Sequence, residues 1–390
     1  MGNKVLFCAT VDFHFKAFHL PYMKWFKDQG WEVHVAAAGN MELPYVDKKY
    51  EIAIQRSPLH LKNIKAYKEL KAIIDKNRYK IIHCHTPMGG AIARLAARHS
   101  RKHGTKVLYT AHGFHFCKGA PLVNWLLYYP IEKMLANYTD CLITINQEDY
   151  NLAVHRQFKA AKIEQVHGVG VDTEYFKPVD VVRKNYLRIG MGYKQDDFLM
   201  FYAAEFNKNK NQQLLIQSLA LIKDNVPNAR LLLAGNGPLI NDCKRLAKQM
   251  GVFEMIDFLG YRNDIVKILP ICDIAVGSSL REGLPVNIME AMACGLPIVA
   301  SENRGHLELV EDKVNGYIIP NQDAQLFALK IVELNKSKAL LVKMGNESKR
   351  KMNKYSIVQV ESEMSSIYRK YILEELDETE SQYNNSGLQC

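Results

Sequence analysis

The chain has 390 residues, 48% of them hydrophobic, a length that exceeds one compact core and predicts two domains. Its eight cysteines are scattered, with no CxxC pair and no zinc spacing, which excludes a disulfide framework and fits a reducing compartment. The formal net charge of +10 is uneven: residues 1–175 hold 24 Lys and Arg against 15 Asp and Glu, so the first half suits an anionic partner.

Strands and helices are predicted to alternate throughout, the pattern of a parallel sheet covered by helices. Lys4 to Ala9 reads as a strand and Phe18 to Gln29 as a helix stopped by Gly30. Trp31 to Ala37 and Tyr50 to Ile54 read as strands, and Ile64 to Asn77 as a lysine-rich amphipathic helix. Lys80 to His83 is a strand before the loop HCHTPMGG, and Ala91 to His103 a helix. Strands at Lys106 to Thr110 and Cys141 to Ile145 flank a helix at Leu126 to Asn137. Its block APLVNWLLYYPIEKML fits either a core helix or a membrane-facing element. Pro178 to Lys194 is polar and turn-prone, and a linker is expected there. A second series opens at Phe198 to Ala204 and closes with helices at Ala324 to Leu334 and Ala339 to Lys349. The last helix spans about Ile357 to Leu373, and an acidic, frayed tail is expected after it.

No run approaches the roughly 20 apolar residues of a spanning helix. Val5 to Ala9 opens a strand where a signal peptide would lie, so the expected location is cytoplasmic and peripheral on the membrane. No nucleic-acid module accompanies the basic half.

The densest signal is GSSLREGLPVNIMEAMACGLP, residues 277–297. It reads as a strand end, a tight loop and a short helix. Pro285 suits the first helical turn, Val286, Met289 and Met292 mark a buried face, and Gly295 with Pro297 ends the helix. Glu282 lies in the loop and Glu290 in the helix. Gly283 permits close approach of a ligand, and free N–H groups at the helix start suit a phosphate.

These residues closely resemble the E-x7-E signature of family 4 glycosyltransferases, and the resemblance extends over nearly the whole chain. It implies the GT-B fold: an α/β chain of two Rossmann-like domains whose parallel sheets face an interdomain cleft. Residues 1–178 would bind the acceptor and 179–356 the nucleotide-sugar. The helix at 357–373 would pack back on the first domain, and 374–390 would form the tail. Glu290 falls on the carboxylate that holds the nucleotide ribose, a diol matched by two acceptor oxygens. Glu282 falls on the one contacting the donor sugar, beside Gly283 and Leu284. Gly235 and Gly237, in LLLAGNGPL, match glycines near the donor. Tyr261 and Arg262, in FLGYRNDI, match the loop that holds the base. Lys210, in AAEFNKNKNQQ, matches the lysine that pairs with the diphosphate. Glu205 departs from the family, standing where arginine is usual, and Lys208 or Arg304 would compensate.

In the first half, His112 of YTAHGFHF matches a histidine at the donor–acceptor junction. No metal or cofactor is expected. His112 with His115 lacks carboxylate companions, and His83 with His85 reads as an acceptor-cleft pair rather than a metal pair. His14 and His19, with Phe13, Phe15 and Phe18, lie where an acceptor would sit. The implied activity is retaining transfer of a sugar from a UDP-sugar to a lipid-linked oligosaccharide, in capsular or exopolysaccharide synthesis. Expected partners are the donor, the lipid-linked acceptor, an anionic membrane surface and polysaccharide-assembly proteins, with no nucleic acid. Two rival readings stay open: a GT-B UDP-sugar 2-epimerase, and a non-catalytic donor- or lipid-binding partner.

Overall fold

The computed structural model describes residues 3–386 and resolves two compact units. One takes in the chain up to Gly170 together with the stretch from Val358; the other spans Val171–Ile357. The division lies upstream of Pro178 because Val171 already bonds within the second unit. Its N–H donates to Tyr355 O at 2.9 Å, and the Ile357 N–H donates back to Val171 O at 2.9 Å.

The first unit holds strands β1 (Lys4–Val11), β2 (Glu32–Ala38), β3 (Lys48–Glu51), β4 (Ile81–His85), β5 (Lys106–Ala111), β6 (Cys141–Thr144) and β7 (Lys162–Gln165). They form one sheet in the order β3-β2-β1-β4-β5-β6-β7, with every neighbouring pair parallel. Runs such as KVLFCATV are apolar without alternation because helices cover both faces of a parallel sheet. The order reverses between β1 and β4. The loops leaving the C-terminal ends there diverge and leave a crevice suited to a ligand.

The second unit repeats the design with β8 (Phe198–Ala203), β9 (Ala229–Ala234), β10 (Ile256–Gly260), β11 (Ile274–Gly277), β12 (Ile298–Ser301) and β13 (Gly316–Ile319). Its order is β10-β9-β8-β11-β12-β13, all parallel, with the switch between β8 and β11. The segment after β8 carries Glu205 to Lys210, and the segment after β11 carries Ser278 to Glu282. The two-domain α/β architecture is thus as the sequence implied.

Two local expectations fail, and three elements lie where none was expected. Pro178 to Lys194 is not a linker, because Val181–Gly190 is a helix of the second unit, capped by the Asp180 side chain accepting from the Arg183 N–H. Its buried Arg188 donates to Asp273 at 2.7 Å and to the Ile271 carbonyl at 2.8 Å, so polarity there marks an ion-paired interior. Phe13–Phe18 is helical although its aromatic residues have modest helix propensity; burial of Phe15 outweighs that. Helix Gln147–His155 and strand β7 lie in sequence that lacks clear periodicity. The tail is not frayed from Glu374, since the last helix runs Ile357–Ser386 through a stretch rich in good helix formers. Residues 387–390 lie outside the described residues. That helix closes the first unit: Tyr368 OH bonds His83 Nδ1 at 2.8 Å, Glu363 pairs with His167 at 2.8 Å, and Lys370 pairs with Glu164 at 2.8 Å.

Candidate active site

In the second unit the loops leaving β8 and β11 are tied together. The Leu280 N–H donates to Asn209 O at 2.7 Å, Asn209 Nδ2 to Arg281 O at 3.0 Å, and Ser278 Oγ to Lys210 O at 2.7 Å. The result is that Lys210 Nζ and Glu282 Oε1 form a half-buried ion pair at 2.5 Å. Sequence spacing, 72 positions apart, carries no hint of that contact. Arg304 Nε donates to the Glu282 carbonyl at 3.0 Å and braces the loop. A Cβ at Gly305 would stand 2.7 Å from Glu282 Cβ and 3.1 Å from Gly283 O, so a glycine is needed for this close approach.

The helix of the signature runs Val286–Ala293, with Pro285 as its N-cap rather than within its first turn. Ile288, Met289 and Met292 are buried, and Leu284 packs beneath the loop. Asn287, which the sequence reading passed over, donates Nδ2 to Ala203 O at 2.9 Å and fixes this helix to the end of β8. Glu290 is half-buried, and among the described residues its carboxylate has no hydrogen-bond partner. Burial pushes its carboxyl up to about 7.

Glu205, Gly235, Tyr261 and Arg262 line one cavity of about 360 Å³, together with Asn236 and Ile265. Gly235 has φ +136°, and a Cβ on it would lie 2.1 Å from Ala204 O. Gly237 has φ +154° and packs against the Phe206 backbone in the same way. Arg262 is held by Asp264 through two bonds of 2.8 and 2.7 Å. Glu205 is exposed. Its Oε2 accepts from Asn207 Nδ2 at 3.0 Å. Glu308 accepts from Tyr355 OH at 3.3 Å.

In the first unit, His112 follows β5 and its Nε2 lies 3.3 Å from His85 Nδ1, at the end of β4. His14 and His19 bring their Nε2 atoms to 3.0 Å of one another beside them. Burial pushes His14 down to about 4 and holds His19, His85 and His112 well below the usual imidazole range, so all four rings are neutral at pH 7. The sequence paired the wrong histidines. His83 does not line a cleft, because it is buried with both nitrogens bonded, to Tyr368 OH and to Thr110 Oγ1, each at 2.8 Å. His115 is exposed and packs on Tyr128.

The helix carrying the apolar block runs Leu122–Leu135 and is not a core helix. Leu122 is 73% exposed, Leu126 67% and Leu127 53%, while Trp125 and Tyr129 pack inward. It borders a cavity of about 750 Å³, lined also by Phe13, Leu59, Leu61, Ile64 and Met88. Among the described residues no helix is long and apolar enough to cross a membrane.

Residues 4–146 match the family described as glycosyl transferase 4-like, and residues 188–351 match glycosyl transferases group 1. EpsD of Bacillus subtilis (strain 168), a glycosyltransferase by name, is 50% identical over 372 residues, covering 95% of this chain and 98% of EpsD. The Escherichia coli UDP-Gal:alpha-D-GlcNAc-diphosphoundecaprenol alpha-1,3-galactosyltransferase is 29% identical over 322 residues, 80% of this chain and 82% of that one. Among solved structures, Anabaena Alr3699/HepE in complex with UDP and glucose superposes with a TM-score of 0.77 at 18% identity, covering 94% of this chain and 100% of the other. WaaG, a glycosyltransferase involved in lipopolysaccharide biosynthesis, superposes with a TM-score of 0.74 at 14% identity, covering 93% and 99%. With two family matches, one in each unit, and a half-identical relative along almost its full length, the chain belongs to the family 4-like, group 1 glycosyltransferases of the GT-B fold.

Proposed function

We propose that this glycosyltransferase moves a sugar from a UDP-sugar, with retention of anomeric configuration, to a lipid-linked oligosaccharide during exopolysaccharide assembly at the inner membrane surface. The observation that carries the lipid-linked reading is the apolar cavity of about 750 Å³ beside the exposed leucines of helix Leu122–Leu135. A patch of this kind on a soluble fold marks a partner that is itself apolar. The names of two relatives support this reading: the galactosyltransferase above, and the Campylobacter jejuni N,N'-diacetylbacillosaminyl-diphospho-undecaprenol alpha-1,3-N-acetylgalactosaminyltransferase. UDP as the nucleotide rests on the former name and on the UDP seen with HepE.

In the proposed step, Glu290 accepts from the ribose hydroxyls while Gly235, Gly237, Tyr261 and Arg262 surround the nucleotide. Lys210 turns from Glu282 to the diphosphate and stabilises the charge released on it. Glu282, with Gly283 and Leu284 behind it, and His112 orient the transferred sugar. The leaving phosphate oxygen takes the acceptor proton, so no protein nucleophile is needed and positioning does most of the work. Arg304 holds the loop, and the step uses no metal or cofactor.

The test is a panel of UDP-sugars given to the purified chain with an undecaprenyl-diphosphate-linked sugar or with the same sugar lacking its lipid. The expected result is product mass and retained anomeric configuration with the lipid form, and at least about tenfold weaker transfer to the lipid-free form. Equal use of both acceptors would remove the lipid from the reading. Release of a free epimer without acceptor would replace transfer by epimerisation.

A further inference from the structure

Four histidines meet at the C-terminal ends of β1, β4 and β5, and they form two bonded pairs. His85 Nδ1 and His112 Nε2 lie 3.3 Å apart, and His14 Nε2 and His19 Nε2 lie 3.0 Å apart. His19 and His85 are the inner members, 3% and 0% exposed, with ring centroids 3.9 Å apart. His14 and His112 are the outer members and only half-buried. His14 also lines the apolar cavity of about 750 Å³.

Burial keeps all four rings neutral at pH 7. A neutral imidazole carries one N–H and one bare nitrogen, so a single proton bridges each pair. The second nitrogens of the inner rings, His85 Nε2 and His19 Nδ1, are buried and have no hydrogen-bond partner among the described residues. If the outer rings donated to the inner ones, His85 would carry its proton on Nε2 and His19 on Nδ1. Two N–H groups would then be buried without an acceptor, a rarer state in folded proteins than a buried acceptor without a donor. The reverse polarity leaves none. His85 Nδ1–H donates to His112 Nε2, and His19 Nε2–H donates to His14 Nε2. His112 and His14 then accept at Nε2 and carry their own proton on Nδ1. Neither of those Nδ1 atoms is bonded among the described residues, and neither is fully buried, so both are open to a ligand.

We propose that His85 and His19 are positioning residues that set this polarity, so that His112 and His14 each meet a sugar as an Nδ1–H donor. His112 would donate to an oxygen of the transferred sugar and His14 to one of the acceptor. Those two roles rest on the proposed transfer reaction; the polarity does not. A donor fixed in advance needs no reorganisation when the sugar arrives. It also bars His112 from acting as a base, since its bare nitrogen is occupied by His85. Proton acceptance is left to the leaving phosphate oxygen.

The first measurement needs neither donor nor acceptor. Two-bond proton–nitrogen spectra of the full chain, isotopically labelled in histidine, separate protonated from bare ring nitrogens near neutral pH, and single-histidine variants assign them. The expected pattern is Nδ1–H on His14, His85 and His112, and Nε2–H on His19. The opposite tautomer at His85 or His19, or averaging of the two forms, would overturn the proposal whatever the substrates are. The second measurement compares His85→Asn with His85→Leu. The two have nearly the same shape, but only asparagine keeps an N–H near the place of Nδ1. His85→Leu should lower kcat at least about tenfold while donor KM stays within about threefold, and His85→Asn should recover most of the loss. UDP affinity in calorimetry should be unchanged in both. Equal loss of kcat in the two folded variants would reduce His85 to packing and overturn its positioning role. A wild-type chain that transfers no sugar would instead remove the transfer reading, with the tautomer pattern still decided by the spectra.

Discussion

Glu290→Gln should make the protein more stable and a poorer binder of UDP, and both effects should follow pH. Burial raises the Glu290 carboxyl from 4.5 to about 7, and no hydrogen bond offsets that in the free protein. The sign follows from proton uptake. Between pH 4.5 and 7 the unfolded chain has lost this proton while the folded chain keeps it, so stability falls as pH rises through that window. Above the folded value the ionised carboxylate costs the native state on the order of 3 kcal/mol at pH 8, against under about 1 kcal/mol at pH 5. Glutamine has nearly the same shape and no charge to bury. Glu290→Gln should therefore gain stability on going from pH 5 to pH 8 relative to wild type, by about 2 kcal/mol. Urea unfolding at both pH values reads this. Far-UV circular dichroism is the appropriate probe, because Trp25, Trp31 and Trp125 all lie in the first unit. The same substitution should weaken UDP by at least about tenfold, since hydrogen bonds to a charged acceptor contribute about 1.5–3 kcal/mol. Wild-type affinity should tighten as pH rises through 7 and release a proton on binding, whereas the variant should show neither in calorimetry. A stability gain equal at pH 5 and pH 8, or UDP affinity unchanged in the variant, would refute the reasoning.

Lys210→Ala should lower kcat/KM about a hundredfold, near 2.7 kcal/mol, because it removes the matched cation and leaves Glu282 facing the diphosphate unpaired; near-wild-type rates would mean that another cation serves the phosphates. Glu205→Ala should stay within about threefold of wild type, since this exposed side chain bonds only to Asn207 among the described residues, and steady-state donor kinetics check it. Leu126→Glu with Leu127→Glu should abolish flotation with anionic vesicles while leaving UDP affinity intact, because two charges are placed on the exposed apolar patch. Tyr368→Phe should destabilise the first unit by about 1–3 kcal/mol by leaving buried His83 Nδ1 without its partner, read as a lower tryptophan-fluorescence midpoint in urea.

The sequence alone determined the class of fold and the local setting of Glu282 and Glu290. Both are written locally: a continuous apolar run means a strand covered on two faces, and Glu282 to Glu290 sit on one loop and the helix after it. Glycines at 235 and 237 were legible for the same reason, since a turn needing positive φ restricts its own residue. Side-chain partnerships across the chain were beyond it. The Lys210–Glu282 pair depends on loops from non-adjacent strands meeting at a sheet switch point, and the turn of Glu205 toward Asn207 depends on a rotamer. The helix Val181–Gly190 read as a linker because its lysines and arginines look solvated until Asp273 is folded beneath them. The apolar helix Leu122–Leu135 read as either core or membrane-facing because composition does not reveal which face is covered. Histidines gave the sharpest divergence: neighbours in sequence, 83 with 85 and 112 with 115, go to different environments, while 14, 19, 85 and 112 converge. Strand order, which sequence does not encode locally, brings the ends of β1, β4 and β5 side by side and so decides which rings meet.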